Sequence, residues 1–148
     1  MSAQAQGEAR SVFQPLIPAK ALVYWENDVR ASWFLLQRSS YISTPQLAGA
    51  AFNRGTALEG ARRLQRLRQL GVQDAVRDAD DEKAKLAMAQ LPKPSHAGLV
   101  HVCSDPQLDF VVLAQDLGAG SVARIDDPQF SHSYYLYDCA RLRAGAAP

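Results

Sequence analysis

The sequence predicts an α+β fold: a helical half over residues 21–90 that contains a helix-turn-helix-like unit, followed by a small antiparallel β-sheet over residues 95–143. Two observations predict this class. Apolar residues recur at helical spacing through the first half, and short apolar runs separated by turn residues follow in the second. Between the halves, Pro92 and Pro94 stop any helix, because proline lacks the backbone N–H that a helix interior needs.

Length and composition describe an ordinary globular chain. Its 148 residues are 47% hydrophobic and 21% charged, with a net charge of +1, which suits a single domain with a real core over residues 13–148. Residues 1–12 are small and polar and are predicted to form a disordered tail. They lack the apolar region of a secretory signal, and no run approaches the roughly 20 apolar residues of a membrane span. A cytoplasmic location is therefore expected, or a nuclear one in a eukaryote, with no membrane partner.

Residues 21–38 carry apolar side chains at helical spacing and are predicted to form a helix. The two tryptophans of this segment, Trp25 and Trp33, could stack on nucleic-acid bases. Their spacing and apolar neighbours favour core or interface anchors instead.

Residues 43–72 are the most informative segment, because they read as two short helices joined by a tight turn. A Thr-Pro pair at residues 44–45 suits the start of the first helix. Asn, Arg and Gly at residues 53–55 then break the helical pattern, since Asn and Gly tolerate turn conformations. The second helix restarts with a Thr-x-x-Glu capping box at residues 56–59 and continues to Gly71, which is placed to close it.

The second helix separates an apolar face from a basic face when it is projected at about 100° per residue. Leu64 and Leu67 fall on the inward side. The outward side carries guanidinium groups that could form bidentate hydrogen bonds with phosphates and guanine edges. It also carries an amide that could hydrogen-bond to adenine. With the arginine of the turn, the predicted nucleic-acid-binding residues are Arg54, Arg62, Arg63, Arg66 and Gln69.

Charge is distributed unevenly along the chain. Residues 44–77 carry six basic and two acidic residues, a net +4, whereas residues 78–148 carry six basic and ten acidic residues, a net −4. The near-neutral total argues against a bulk polyanion binder, but the asymmetry allows one basic patch. The competing interpretation is a solvated helix whose arginines pair with nearby acids.

Residues 35–72 resemble the core of a winged helix domain, within the helix-turn-helix superfamily. The resemblance rests on T-P-Q-L-A at residues 44–48 and on R-R-L-Q-R-L-R-Q-L-G-V at residues 62–72. It implies a long first helix, a second helix at T-P-Q-L-A and an arginine-rich third helix that contacts DNA, as in transcription-regulator and plasmid-replication families. Residues 73–90 depart from the pattern, because they are acidic and helix-forming where a two-stranded wing is usual. Winged helices without a wing often serve as protein-interaction modules.

Four runs in the second half are predicted to be strands: residues 99–103, 110–115, 121–125 and 133–139. The short spacing between them favours an antiparallel meander. Alternation in the last run places Tyr134 and Leu136 on one face and Tyr135 and Tyr137 on the other. Helices are predicted to cover one side of this sheet.

All histidines and cysteines lie in this second half, at His96, His101, Cys103, His132 and Cys139. Their spacing lacks the C-x-x-C of structural zinc sites. No nucleophile with a base, dinucleotide fingerprint or phosphate-binding loop stands out. We therefore expect no metal, no cofactor and no catalytic residue. With two cysteines and no secretory signal, a disulfide is not expected either.

Two function classes follow from these patterns. One is a DNA-binding accessory protein whose arginine-rich helix faces duplex DNA. The other is a non-catalytic interaction subunit or adaptor, whose winged-helix-like module contacts a larger protein assembly or a second copy of the chain. The first class predicts a contiguous positive patch over residues 57–70. The second predicts that the same arginines meet acidic residues of the fold, with an exposed apolar patch elsewhere.

Overall fold

The computed structural model describes residues 1–28, 30–42, 54–76, 81–118 and 120–146, and it has the predicted α+β class. The N-terminal segment comprises α1 (Ala3–Glu8), a π-helical turn (Ala9–Phe13) and a 3-10 turn (Gln14–Leu16). The other elements, in chain order, are β1 (Leu22–Trp25), α2 (Ala31–Phe34), β2 (Ser39–Ser40), α3 (Arg54–Leu70), a 3-10 turn (Gln73–Val76), α4 (Asp81–Gln90), α5 (His96–Cys103), β3 (Phe110–Leu113), β4 (Ala123–Asp127), a 3-10 turn (Pro128–Phe130), β5 (His132–Asp138) and α6 (Cys139–Ala146).

The strands in the described residues form one mixed sheet in the order β2-β1-β3-β5-β4. β1 is parallel to both of its neighbours, with Val23 opposite Phe110 in β3. β5 is antiparallel to both of its neighbours, with Leu136 opposite Val112 in β3 and Ala123 in β4. The strands of the second half pair antiparallel as predicted, but the predicted meander order is wrong. The chain passes from β3 to the edge strand β4 before β5 returns between them, and β1 and β2 come from the half predicted to be helical.

The two faces of the sheet belong to two separate cores. In the helical core, Val111 and Tyr137 pack with residues of α3, α5 and α6. In the N-terminal core, Val112 and Leu136 pack with residues of the N-terminal segment and α2. The predicted alternation in β5 is confirmed, because successive strand residues enter opposite cores. The prediction that helices cover one side is wrong, since both faces are covered.

The predicted arginine-rich helix is present as α3, but it begins at Arg54, so the prediction of a turn at residues 54–55 with the helix starting at Thr56 is wrong. Leu67 is fully buried in the helical core, whereas Leu64 is only partly buried at its margin. Gly71 follows the helix at φ 90°, and its N–H donates to the Leu67 carbonyl at 3.2 Å. A Cβ at Gly71 would collide with the carbonyl oxygen of Pro92, so this position requires glycine. The first helix of the predicted unit, over residues 44–52, lies outside the described residues.

Two predicted elements have the wrong type. Residues 99–103, predicted as a strand, belong to α5, whose N-terminus is capped by the hydroxyl of Ser95 accepting from the N–H of Gly98 at 3.0 Å. Residues 21–38, predicted as helical, hold β1 and the four-residue helix α2, with Val29 outside the described part. The long first helix that the winged-helix resemblance implies is therefore absent from the described residues of this segment.

The N-terminal residues pack on the body of the protein, so the prediction of a disordered tail over residues 1–12 is wrong. Ala5 and Ala9 are fully buried. Ser2 caps α1, because its hydroxyl accepts from the N–H of Ala5 at 3.1 Å. The Ser2 N–H donates to the carboxylate of Asp127 in β4 at 2.8 Å. These contacts give a small, polar segment the burial that its composition alone does not indicate.

Cys103 and Cys139 form a disulfide with Cα atoms 4.9 Å apart, which corrects the expectation of no disulfide. Cys103 ends α5, Cys139 begins α6, and both are fully buried. Arg143 of α6 reinforces the junction, because its Nη1 donates to the carbonyl oxygens of Cys103 at 2.7 Å and Leu108 at 3.2 Å. A covalent bond and an arginine therefore both fix α6 to the end of α5.

Candidate functional site

The arginines predicted to bind nucleic acid lie on α3 at different depths. The side chain of Arg62 is 53% exposed, whereas those of Arg66 and Arg63 are 27% and 14% exposed. Gln69 is exposed, and Arg54 begins the helix, but the side chain of Arg54 lies outside the described part. The predicted set therefore does not share one outward face: Arg62 and Gln69 meet solvent, while Arg63 and Arg66 turn toward the body.

Arg63 is bound to the fold through all three of its guanidinium nitrogens. Nη1 donates to the Tyr41 carbonyl at 2.7 Å, Nη2 to the side-chain oxygen of Gln107 at 3.1 Å and Nε to Glu59 at 3.0 Å. Its Cζ also lies 4.9 Å from the centre of the Tyr41 ring, which is a cation–π distance. Arg63 cannot reach a nucleic acid without breaking charge-assisted hydrogen bonds within the protein.

Asp105 is the buried acid beside this part of α3. The Tyr41 hydroxyl donates to Oδ2 at 2.7 Å and the Gln107 N–H to Oδ1 at 3.0 Å. Arg66 Nε lies 4.0 Å from Oδ2, and its Nη1 donates to the Ser104 hydroxyl at 3.1 Å. Burial favours the neutral acid, but the hydrogen bonds and the guanidinium lower the pKa of Asp105 below its ordinary value. Burial and donation to Asp105 raise the pKa of Tyr41.

Glu59 forms the solvent-facing ion pairs of α3. Its carboxylate lies 2.8 Å from Arg62 Nη2 and 3.0 Å from Arg63 Nε. The hydrogen bond from Arg62 lowers the pKa of Glu59. Exposed pairs of this kind contribute at most about 1 kcal/mol, so Arg62 can exchange Glu59 for a phosphate at little cost. Gln69 is the other exposed member of the predicted set, and Arg68, which was not predicted to bind nucleic acid, is exposed beside it.

An exposed aromatic pair in α2 is a feature that the sequence patterns did not identify as such. Trp33 and Phe34 are each 64% exposed, whereas Ala31 and Ser32 of the same helix are buried. Trp25 in β1 is buried in the N-terminal core, which is one of the two roles, core or interface anchor, predicted for the tryptophans. The order A-S-W-F carried a signal, since a short helix that buries its small residues directs its large ones to solvent. Adjacent exposed aromatic rings are typical of interaction surfaces.

Two carboxylates that accept hydrogen bonds near the C-terminal end of β1 were also not identified from the sequence. Glu26 follows β1 and accepts from the N–H of Ala114, which follows β3, at 3.1 Å. Asp74, in the turn after α3, accepts from the Tyr24 hydroxyl at 2.5 Å and the Asn27 N–H at 2.7 Å. Burial and the negative charge of Asp74 raise the pKa of Glu26 against the opposing effect of the Ala114 hydrogen bond. These hydrogen bonds link the end of β1 to the residue after β3 and to the turn after α3.

Within the described ranges, no group of three His, Cys, Asp or Glu side chains is arranged so that it could hold a metal ion. The same part of the chain contains no helix that is both long and apolar enough to cross a bilayer. No protein-family model matches this chain, and no curated protein or solved structure is significantly similar to it.

Proposed function

We propose that this protein is a non-catalytic interaction subunit that contacts a protein partner through α2. The observation that carries the proposal is the 64% exposure of both Trp33 and Phe34. Arg30 precedes them by three and four residues, and the Phe34 N–H donates to the Arg30 carbonyl at 2.8 Å. Both rings therefore lie within one helical turn of Arg30, on the exposed side of α2. Trp and Arg are enriched among the residues that dominate binding free energy at protein interfaces.

The chemistry of this face suits a partner that presents an apolar pocket with carboxylates at its rim. Two aromatic rings require an apolar pocket in order to leave water. Arg30 has no hydrogen bond or ion pair from its side chain to any described residue, so an acidic group of the partner complements its charge. Val12 and Leu16 are also exposed, on the N-terminal segment that covers the same face of the sheet.

The arginines of α3 support this proposal over DNA binding. Arg63 is bound by three groups of the fold, and Arg66 lies beside Asp105 and Ser104. Arginines that meet the protein's own acids, together with an apolar patch elsewhere, are the combination expected of an interaction subunit.

DNA binding is the second candidate function, and the exposed side of α3 favours it. Arg62, Arg68 and Gln69 face solvent. In this candidate, Arg62 and Arg68 contact phosphates and Gln69 contacts a base edge. The winged-helix resemblance supports it through α3 alone, because residues 21–38 do not form the long first helix.

We also propose that the chain works in an oxidising compartment rather than in the cytoplasm. The support is the disulfide between the fully buried Cys103 and Cys139. Cytosolic and nuclear redox systems keep such cysteine pairs reduced in most organisms. An oxidising compartment also separates the protein from chromosomal DNA, which favours the interaction subunit over the DNA-binding candidate.

Site-specific photocrosslinking tests the docking surface. Benzoylphenylalanine in place of Phe34 should capture the partner in cells of the source organism, and the same group in place of Leu86, which is 61% exposed on α4, is the control. The captured protein is then identified by mass spectrometry, purified and titrated by calorimetry. Trp33→Ser/Phe34→Ser should weaken binding at least about 30-fold, because truncating a dominant aromatic side chain costs about 2 kcal/mol or more.

The matched control is Leu58→Ser/Leu86→Ser, which removes two side chains of similar exposure, 62% and 61%, and should leave the affinity unchanged. Unchanged affinity in the Trp33→Ser/Phe34→Ser variant would refute docking through α2. A dimer of the wild type that this variant dissolves would assign the face to a second copy instead. Salt-sensitive binding of labelled duplex DNA, lost in Arg62→Ala/Arg68→Ala, would favour the second candidate.

A further inference from the structure

A cavity of about 300 Å³ opens between α5, α6 and the loop that leads into β4. Its apolar lining comprises Val100 from α5, Val122 from the loop and Leu142 from α6, all partly buried. A volume of this size lies at the small end of the range for sites that hold organic ligands. Such sites combine an apolar wall with a few convergent polar groups, and this cavity has both.

The polar side chains that line the cavity have bonding capacity to spare. Asp138 accepts from the N–H of Ala140 at 3.0 Å, which caps the first turn of α6 and uses one carboxylate oxygen. Arg141 makes no hydrogen bond or ion pair with any described residue, in contrast to Arg143 on the same helix. The imidazole of His96 adds a third polar group to the rim. One cation and one anion therefore line the same cavity as the apolar residues.

We propose that this cavity binds an α-amino acid with an apolar side chain. The ligand carboxylate pairs with Arg141, whose planar guanidinium can donate to both carboxylate oxygens. The ligand ammonium pairs with Asp138. The ligand side chain lies on Val100, Val122 and Leu142 and leaves water.

A zwitterion fits this cavity better than an ion of either sign. A simple carboxylate would be attracted by Arg141 but repelled by Asp138. A simple amine would be attracted by Asp138 but repelled by Arg141. A fully polar molecule such as a sugar would leave the apolar lining of the cavity exposed to water. The volume of about 300 Å³ limits the ligand to a single small molecule rather than a folded segment.

Titration with L-leucine and with L-phenylalanine, followed by calorimetry and by backbone amide NMR shifts, tests the proposal. The comparison ligands are 4-methylpentanoate, which lacks the amine, 3-methylbutylamine, which lacks the carboxylate, and glycine, which lacks the apolar side chain. We expect a Kd for L-leucine in the millimolar range or below, and at least about tenfold weaker binding of each comparison ligand. Absence of binding by both L-leucine and L-phenylalanine would overturn the proposal, as would equal affinity for the comparison ligands.

Variants tie the binding to this cavity. Arg141→Ala and Asp138→Asn should each weaken binding at least about tenfold, and Asn retains an acceptor for the cap of α6. Gly145→Leu should abolish binding by filling the cavity, because a Cβ at Gly145 meets only open space. Gly7→Leu in α1 makes the same change at another open position, so it is the matched control and should bind as the wild type does. Binding that survives Gly145→Leu would overturn the proposal. If Gly145→Leu fails to fold, unchanged binding by Arg141→Ala would overturn it instead.

Discussion

Removing the Cys103–Cys139 disulfide should destabilise the protein by a large and calculable amount. The two cysteines are 36 residues apart in sequence. In the chain-entropy treatment, a cross-link that closes a loop of this length stabilises the native state by roughly 4 kcal/mol, because it restricts the unfolded chain. For a chain of this size, a loss of that magnitude lowers the melting temperature by roughly 8–16 °C.

Urea denaturation with and without a reductant measures this effect, and Cys103→Ala/Cys139→Ala provides the irreversible version. Reduced wild type separates the covalent contribution from the packing of the sulfur atoms, since it keeps both side chains. We expect no reactive thiol in denatured, non-reduced protein and two after reduction. Two reactive thiols before reduction would refute the disulfide. A free energy of unfolding that reduction leaves unchanged would refute the loop-entropy argument.

Three further predictions concern the core and the titrating groups. Leu67→Ala should cost roughly 2–5 kcal/mol in chemical denaturation because Leu67 is fully buried, and Leu64→Ala should cost less because Leu64 is only partly buried. Folding lowers the pKa of Asp105, so the ionised carboxylate stabilises the native state above the ordinary pKa of 3.8. This stabilisation is lost as pH falls below 3.8 toward the lower pKa of the folded state. Asp105→Asn should therefore lose less stability than wild type in an acid titration. Folding raises the pKa of Glu26, so ionisation of Glu26 disfavours the native state. Glu26→Gln should be more stable than wild type at neutral pH, and the difference should shrink as pH falls toward 4.5 and be absent below it; equal stability at neutral pH would contradict this.

Long periodic or alternating segments are the parts of the fold that the sequence predicted well. The 17 residues of α3 combine a helical period with a closing glycine, and Gly71 has the positive φ that its position indicated. β5 alternates over seven residues, so its two faces were assigned correctly. In both cases local chemistry and tertiary packing favour the same structure.

Short apolar runs were assigned wrongly because periodicity cannot separate a buried strand from a buried helix over four or five residues. Residues 99–103 are apolar throughout apart from His101, and the helix start at Ser95 was the signal that could have identified α5. Leu22–Trp25 is likewise too short to show a period, and its place beside β3 depends on residues almost ninety positions later in the chain.

The candidate site depended even more on tertiary contacts than the fold did. The outward direction of Arg63 on a helical projection was overridden by Tyr41 and Gln107, which lie outside α3. The pairing of Cys103 with Cys139 requires α5 and α6 to meet, which no local pattern encodes. Only the final packing decides which surface remains exposed.

Acrylamide quenching of tryptophan fluorescence tests docking through α2 most directly. Trp25 is buried and Trp33 is 64% exposed, so the quenchable emission belongs to Trp33 and should disappear in Trp33→Phe. Saturation with the captured partner should shift this emission to shorter wavelengths and protect it from acrylamide, whereas duplex DNA should leave it unchanged. Full binding of the partner with Trp33 as quenchable as in the free protein would contradict the proposal that α2 is the docking surface.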